Sequence, residues 1–382
     1  MATHHNKLQR FEDAMKAVYG PFGGLTVERA AEWTPPTCPG AGGHRGRYLW
    51  TDAFGVVNLI TLSREKKQHE TEKENEEAPV YLELAKRLAQ TVHDVLGRTR
   101  DGSFRLPGAT DARPLDGGLR IGKLDETGPD GDGQYHHYLT LWMFALNRLA
   151  LAAGEPRWND LAVQLAKAIH PRFVVEGSMV WKISADMRRV LVGSKGHLDD
   201  VTGLVVFRIL QETAKQQQRH SGGATGPSLQ SEIEHYEAMV ARSRPLRSSS
   251  DPLDLGMSLW VAHLERDAPW SRELAEDGLG IAERSFLRAS LAAAIDKASS
   301  RRFRLAFRDF GACLGIKCYA SGGSDDDNKD HESLISGADA VAEAWSPFLL
   351  DEEAGLKPIT LVMGAAALIP GAFCDGYLDT QQ

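Results

Sequence analysis

Residues 49–60 read Leu49-Trp-Thr-Asp-Ala-Phe-Gly-Val-Val-Asn-Leu-Ile60, an apolar stretch in which an aspartate precedes a glycine by three positions. Self-similarity along a chain indicates a repeated supersecondary unit that cannot bury its apolar face alone. The repeat therefore predicts a closed ring of helical hairpins, with ionisable groups gathered at one end of the ring. The recurring segments are Asp52–Gly55, His137–Thr140, Asp200–Gly203, Asp254–Gly256, Arg308–Gly311 and, without the charge, Ile359–Gly364.

An amphipathic segment precedes each recurring segment. The first member of a pair carries charge on one face, as in residues 81–90, which is typical of a helix with one solvent-exposed side. The second member is apolar nearly all round, as in residues 204–210, which indicates burial on both sides. Six outer and six inner helices predict an all-α fold, the (α/α)6 barrel, as a single domain over residues 1–382. The pairs are Lys7–Tyr19 with Tyr48–Ser63, Pro79–Leu96 with Gln134–Ala153, Trp158–His170 with His197–Gln211, Leu229–Ala241 with Leu253–Leu264, Ser271–Ala298 with Phe303–Tyr319, and Ser333–Trp345 with Pro358–Ala372.

The connections at the two ends of the predicted ring differ in composition. Those that follow inner helices are charged or rich in Gln, Ser and Gly, which is typical of unstructured chain. We expect flexible insertions near residues 64–78, 214–228 and 321–332. Connections that lead into inner helices are long and rich in Gly, Asp, Arg and Trp, and long loops of this kind are usually functional. We therefore expect the active site at that end of the ring.

The bulk composition narrows the class of protein. With 382 residues and a net charge of −8, the chain lacks a broad basic face, so nucleic acid is not an expected partner. No apolar run reaches the roughly 20 residues that span a membrane, and the first ten residues lack the apolar core of a secretory signal. Four cysteines are too few for a disulfide scaffold. We expect a cytoplasmic protein with a small-molecule substrate, while the oligomeric state stays open.

Two inner helices carry candidate catalytic residues near their starts. Asp52 lies in an otherwise apolar helix, where desolvation would raise the pKa of its carboxyl group and suit it to general acid catalysis. A single aspartate at such a position is also a common helix cap. Adjacent helical residues point about 100° apart, so only one of His136 and His137 can face the lumen. We expect His137 to do so and His136 to be structural.

Two further inner helices add charged candidates. His197 and Asp200 are three residues apart, so Asp200 could orient the imidazole of His197 for proton transfer. Arg304 and Arg308 are four residues apart and could bind a substrate carboxylate or phosphate. An ion pair between Arg308 and an aspartate is the equally favoured alternative. Asp254 completes this polar set as a substrate-binding candidate.

Aromatic residues lie close to these positions in the sequence. Trp50, Tyr135 and Trp142 are candidate substrate-binding residues, because sugar rings stack on flat apolar faces beside carboxylates. Aromatic residues at helical spacing also commonly form core, so both interpretations stand. No His-Glu-x-x-His, Cys-x-x-Cys or EF-hand motif is present, and we expect neither a metal nor a cofactor.

The six-hairpin pattern resembles the (α/α)6 toroid of glucoamylases, unsaturated glucuronyl hydrolases and N-acylglucosamine 2-epimerases, from Lys7 to about Ala372. In those families the active site lies in the funnel formed by the loops that lead into the inner helices. Residues 51–59 look like the Asp-led inner-helix segment of the glucuronyl hydrolases, which implies a general acid/base role for Asp52. His197-Leu-Asp-Asp200 is similar to the His-led inner helices of the 2-epimerases, in which histidine moves a proton beside a carbonyl.

These features predict an enzyme that acts on a small sugar, uronic-acid or related polar metabolite by general acid/base catalysis, most like a glycoside hydrolase. One alternative is a sugar epimerase or isomerase that uses paired histidines. A second is a cyclase on an α-toroid that acts on a specialised metabolite. A third is a non-enzymatic helical scaffold, since a fold alone does not confer a function.

Overall fold

The computed structural model describes residues 4–36, 46–68, 72–128, 130–221, 227–289, 305–322, 328–346, 349 and 357–379. Contacts between Cα atoms divide the chain into two compact units. Unit 1 contains residues 1–18 and 243–382, and unit 2 contains residues 19–242. The boundary falls inside the first helix, α1 (His4–Tyr19). The single domain expected over residues 1–382 stays a prediction.

Unit 2 contains three inner helices, each beside at least one amphipathic partner. Helix α3 packs on α4 and α5, and α5 packs on α6 and α7, so α3 and α5 are covered on more than one side. The side chains of α3 from Leu49 to Leu62 are all buried, which agrees with an apolar sequence lacking a polar face. The helices are α2 (Val27–Ala31), α3 (Leu49–Gln68), α4 (Glu72–Leu96), α5 (His136–Ala153), α6 (Arg157–Phe173), α7 (Asp199–Ser221) and α8 (Gln230–Ser243).

Short strands lie in the long connections of unit 2, where no strand is predicted from the sequence. An antiparallel sheet has the order β1-β4-β5, with Tyr135 opposite Lys182, and β2 and β3 form a separate hairpin. The sheet therefore places the residue before α5 next to the 171–196 connection. The strands are β1 (Gln134–Tyr135), β2 (Val174–Val175), β3 (Ser178–Met179), β4 (Lys182–Ile183) and β5 (Val190–Val192).

Unit 1 is built around α11, which packs on α9, α12 and α13. Helix α10 covers α9 and continues into a π-helical turn, Ala282–Phe286, while a 3-10 turn, Gly371–Phe373, follows α13. The helices of this unit besides α1 are α9 (Pro252–His263), α10 (Pro269–Ile281), α11 (Ala306–Ala320), α12 (Asn328–Trp345) and α13 (Lys357–Leu368).

The recurring glycines permit close packing. A Cβ atom on Gly55 would lie 2.0 Å from the hydroxyl of Tyr19, and one on Gly203 would lie 2.4 Å from the ring of Tyr236. In unit 1, a Cβ on Gly256 would lie 1.9 Å from the carbonyl oxygen of Gly311, so α9 and α11 meet backbone to backbone. These positions exclude any larger side chain, because real Cβ atoms do not approach other atoms so closely.

Helices extend into all three segments in which we expect flexible insertions, and the flexibility itself stays a prediction. Helix α3 continues to Gln68 and α4 begins at Glu72, so most of 64–78 is helical. Helix α7 continues to Ser221, and α12 begins at Asn328. Charged and Gln-rich residues have good helix propensity, and their composition alone did not distinguish the end of a helix from a loop. Residues 69–71, 222–226 and 323–327 lie outside the described chain. Among the described helices, none is both long and apolar enough to cross a membrane.

Candidate functional site

Six side chains of unit 2 form a contiguous group of rings at the start of α5, which we call the aromatic cluster. Tyr135 of β1 stacks on Trp181, with ring centroids 5.1 Å apart and planes 6° from parallel. His137 extends this stack, 5.4 Å from Tyr135 and 5.8 Å from Trp181. The β1–β4 pairing produces the arrangement, because it brings Trp181, the residue before β4, beside β1. The cluster consists of Tyr48, Trp50, Tyr135, His137, Tyr138 and Trp181.

The tautomer of His137 follows from its partner. The indole Nε1–H of Trp181 donates to Nδ1 of His137 over 2.9 Å, and an indole nitrogen is only a donor. Nδ1 is therefore the unprotonated nitrogen, and a neutral imidazole then carries its proton on Nε2. Burial is the main cause that lowers the pKa of His137 to about 4. At neutral pH the imidazole of His137 is thus neutral and carries its proton on Nε2.

Trp50 carries a second donor in the same cluster, although its side chain is buried. Its ring centroid lies 5.7 Å from that of His137 and 5.3 Å from that of Tyr138. The Nε1 atom of Trp50 is buried and has no hydrogen-bond partner within the described part of the chain. Leaving a buried donor unpaired costs roughly 1–3 kcal/mol, so a ligand oxygen or a water molecule that accepts from it would be favoured.

His136 belongs to a separate buried network that joins α5, α7 and α8. Its Nε2 lies 2.8 Å from the hydroxyl of Tyr236, and its Nδ1 lies 3.4 Å from Oδ1 of Asp199. Burial opposes ionisation of Asp199, but hydrogen bonds from His136 and from the backbone N–H of Gly196 contribute to lowering the pKa of Asp199. Burial raises the pKa of Tyr236 well above its ordinary value, so the phenol keeps its proton. The tyrosine hydroxyl then donates to Nε2 while Nδ1–H donates to Asp199.

Asp200 lies beside this network at the start of α7. Its side chain is buried, and Nζ of Lys195 lies 2.7 Å from Oδ2. The Lys195 side chain itself is 40% exposed. His197 is exposed and lies in the turn before α7, because the helix begins at Asp199. The helical spacing from which we expected Asp200 to orient His197 is therefore absent.

Asp52 is fully buried in an ion pair. Nε of Arg47 lies 2.8 Å from Oδ1, Nη2 of Arg47 lies 3.0 Å from Oδ2, and the hydroxyl of Tyr19 donates to Oδ1 over 3.0 Å. Arg47 is also buried, with its guanidinium 5.1 Å from the Tyr19 ring centroid. Two-pronged pairing with arginine fixes the position of a carboxylate. These contacts favour a structural role for Asp52 over the proposed general acid.

The remaining predicted residues occupy different surroundings. In unit 1, Arg308 forms an ion pair with Asp251, the N-cap of α9, which is the alternative that the sequence left open. Asp254 is half-buried in the first turn of the same helix. Trp142 is core, since it is fully buried in unit 2 and donates to Nε2 of His93 over 3.1 Å. Arg304 lies outside the described residues.

A cavity of about 1000 Å³ opens beside the aromatic cluster within unit 2. Lys182 connects the two, because it lines the cavity while its Nζ lies 5.1 Å from the ring centroid of Tyr135. Asp132, on the same wall, accepts from Arg100 and Arg120. In the described chain no group of three or more His, Cys, Asp or Glu side chains is placed to hold a metal ion.

No protein-family model and no curated protein matches this sequence. Several solved structures are similar to this chain. A family 76 glycoside hydrolase from a bovine strain of Bacteroides thetaiotaomicron is similar with a TM-score of 0.55 and 11% identity, over 96% of this chain and 77% of that one. A family 76 α-mannanase of Bacteroides thetaiotaomicron gives a TM-score of 0.52 and 9% identity, over 96% of each chain. A cellobiose 2-epimerase from Spirochaeta thermophila gives a TM-score of 0.47 and 13% identity, over 95% and 97%.

The two family 76 structures establish the fold. Both are (α/α)6 barrels, and this chain shares that fold over nearly its whole length. The predicted fold class is therefore confirmed, together with the resemblance in architecture on which it rested. At 9% and 11% identity the similarity concerns the fold alone.

Sequence reasoning missed part of the site. The sequence-based candidates do not include Trp181, although its position in the 171–196 connection, which has a structured composition, is a usable signal. His136 was expected to be structural, and its buried contacts with Asp199 and Tyr236 agree with that. Arg47 was not considered, because nothing in the sequence shows that the chain before α3 places it against Asp52.

Proposed function

We propose that this protein is an enzyme that acts on a sugar or a related small polyhydroxylated metabolite, with its binding surface at the aromatic cluster. The (α/α)6 fold that it shares with family 76 glycoside hydrolases, one of them an α-mannanase, supports this class of activity. Glycoside hydrolysis is the reaction that we favour. The fold supplies only the prior expectation, and the argument rests on the chemistry of the cluster.

One observation carries the proposal: the aromatic cluster contains the buried Nε1–H of Trp50, which has no hydrogen-bond partner among the described residues, on a ring 5.7 Å from that of His137. A sugar ring offers an apolar C–H face for stacking and oxygen atoms around its rim as hydrogen-bond acceptors. His137, Tyr138 and Trp181 are half-buried, so their rings are partly open to a ligand. A surface that combines stacking with directed donors suits such a molecule.

Asp200 is the proposed acid/base group. A pair of carboxyl groups is the usual requirement for glycoside hydrolysis, and Asp199 and Asp200 are adjacent at the start of α7. Asp199 is committed to His136 and to the backbone N–H of Gly196. Nζ of Lys195, whose side chain is 40% exposed, lies 2.7 Å from Oδ2 of Asp200, and the backbone N–H of Val201 donates to Oδ1. Asp200 is the carboxylate to which we assign proton transfer, whereas the sequence predicts it as the residue that orients His197.

His137 serves the substrate as a hydrogen-bond donor. Because Nδ1 accepts from Trp181, the imidazole cannot take a proton on Nε2 without changing tautomer. A neutral Nε2–H can instead stabilise negative charge on a sugar oxygen as it develops. His137 therefore orients the substrate, and Asp200 moves the proton.

The test is a substrate screen with matched variants. The wild type is assayed on aryl α- and β-glycosides, with NMR detection of epimerised free sugars to reveal the isomerase alternative. On any substrate found, Trp50→Phe and His137→Gln should each lower kcat/KM about 3- to 10-fold, the effect of one lost hydrogen bond. Asp200→Asn should lower kcat about 100- to 10,000-fold.

Trp33→Phe is the matched control, since Trp33 packs edge-on against Phe22 elsewhere in unit 2. It should keep wild-type kinetics. Full activity in the Trp50 and His137 variants would place the site elsewhere. Sugar binding without turnover of any substrate would favour the scaffold alternative.

A further inference from the structure

A cavity of about 630 Å³ in unit 1 has two thiols in its wall. Cys318 ends the last full turn of α11, and Cys374 follows the 3-10 turn Gly371–Phe373. Their Sγ atoms are 3.6 Å apart. A disulfide bond requires about 2.05 Å, so the sulfur atoms must approach by about 1.5 Å. Rotation of two side chains whose sulfurs are already adjacent can supply that movement.

The backbone on both sides of Cys374 is tied to α9. Trp260 Nε1 donates to the carbonyl of Phe373 over 3.2 Å, and the N–H of Asp375 donates to Nε2 of His263 over 3.1 Å. These contacts fix the segment that carries the thiol, so Cys374 stays beside Cys318. The juxtaposition is thus part of the folded unit.

The two thiols differ in access. Cys374 is half-buried and reaches the cavity, whereas Cys318 is 1% exposed. Burial and the hydrogen bond with Cys374 raise the pKa of the Cys318 thiol, and the nearby charges of Lys317 and Arg266 oppose only part of that rise. Arg266 also donates to the carbonyl groups of Cys318 and Tyr319. A reagent that enters the cavity therefore contacts Cys374 before Cys318, which is more deeply buried and lies near the guanidinium group of Arg266.

We propose that Cys374 is a thiol–disulfide exchange site for a small-molecule disulfide, with Cys318 as its resolving thiol. The Cys374 thiolate attacks one sulfur of the reagent, forms a mixed disulfide and releases one small thiolate. The Cys318 thiolate then attacks Sγ of Cys374, forms the Cys318–Cys374 bond and releases the second. Two protein thiols are oxidised, the reagent is reduced to two thiols, and the protons of the cysteines pass to the leaving thiolates.

The cross-link would join α11 to the C-terminal segment across 56 residues of sequence. Closing a loop of this length constrains the unfolded chain more than the folded one. The oxidised protein should therefore unfold at a higher temperature than the reduced protein. This switch is independent of the sugar-acting site proposed in unit 2.

The test treats the full-length protein with oxidised glutathione and follows its intact mass. A Cys38→Ser background removes the one cysteine that lies outside the described residues. Cys313, on the same helix as Cys318, is the internal control, because it is fully buried and burial raises the pKa of its thiol. The expected product has lost about 2 Da, the mass of two hydrogen atoms, and dithiothreitol restores it.

Single variants separate the two roles. In the same background, Cys318→Ser should trap one glutathionyl group on Cys374, and Cys374→Ser should stay unmodified. Circular dichroism checks that each variant is folded. A stable glutathione adduct on the Cys38→Ser protein would refute the resolving role of Cys318. An unreactive Cys318→Ser protein, or an adduct that maps to Cys313, would overturn the proposal altogether.

Discussion

Replacing Asp52 by alanine should strongly destabilise unit 2. The substitution leaves the guanidinium of Arg47 buried without its counter-ion, since Arg47 is 1% exposed and both carboxylate oxygens of Asp52 lie within 3.0 Å of it. Breaking a buried ion pair by removing one partner costs about 3–5 kcal/mol. For a unit of this size, 1 kcal/mol corresponds to about 2–4 °C, so the melting temperature of unit 2 should fall by about 6–20 °C.

Two milder variants calibrate that loss. Tyr19→Phe removes the hydroxyl that donates to Asp52 and keeps the ring that packs on Gly55, so it should cost about 1–3 kcal/mol. Asp52→Asn keeps the shape and removes the charge, and should fall between the other two. Thermal and urea unfolding followed by circular dichroism measure all three. If Asp52→Ala melts like the wild type and only turnover is lost, the structural interpretation fails and Asp52 is the catalytic residue that the sequence predicts.

Two further predictions concern helix packing and pH. Gly256→Ala should destabilise the fold by about 1–3 kcal/mol or more, because the new Cβ would lie 1.9 Å from a backbone atom of α11. In Gly280→Ala the new Cβ would contact only the flexible end of Arg284, so this variant should be neutral or stabilised by up to about 1 kcal/mol. Chemical denaturation of both variants measures the difference. Burial lowers the pKa of His93 to about 3 in the folded protein, whereas the value in the unfolded chain is about 6.5. As the pH falls below about 6.5, the unfolded chain therefore binds a proton that the folded protein does not bind, and the free energy of unfolding decreases. His93→Gln, which can still accept from Trp142, should therefore lose about 2 kcal/mol less than the wild type between pH 7 and pH 5, measured by urea unfolding at each pH; equal losses would contradict the assignment.

The helices could be predicted because their signal is local. An apolar stripe or an all-apolar run is visible in any window of a dozen residues, and the outer and inner helices of both units lie close to their predicted positions. Helix ends were less predictable, because α7 continues through a Gln-rich segment that also resembles a linker. The strands are two or three residues long, too short for an alternating pattern to be recognised.

The site was less predictable, because its contacts are made between distant segments. Asp52 looked desolvated and unpaired, yet Arg47, only five residues earlier, folds back onto it. The sequence identified His137 by helical phase, but its tautomer depends on Trp181, which lies 44 residues away and is placed by the β1–β4 pairing. Such pairings are visible only once the connections are folded, and no periodicity encodes them.

Two aspartates at the starts of inner helices accept hydrogen bonds from aromatic side chains. Asp52 is held by Tyr19 of α1, and Asp309 by the indole Nε1–H of Trp345 at the end of α12. In both cases an aromatic donor on a preceding or following helix satisfies a buried carboxylate, which is a structural use of the repeat.

Helix α5 departs from this arrangement, because its first turn contains no acidic residue and begins with His136 and His137. In place of the buried aspartates of α3 and α11, α5 has a neutral imidazole beside stacked rings, and Nδ1 of this imidazole accepts from Trp181. His136 makes the internal contacts at this helix start, with Asp199 and Tyr236. In the proposed function, His137 is therefore the residue of this helix start that contacts the substrate.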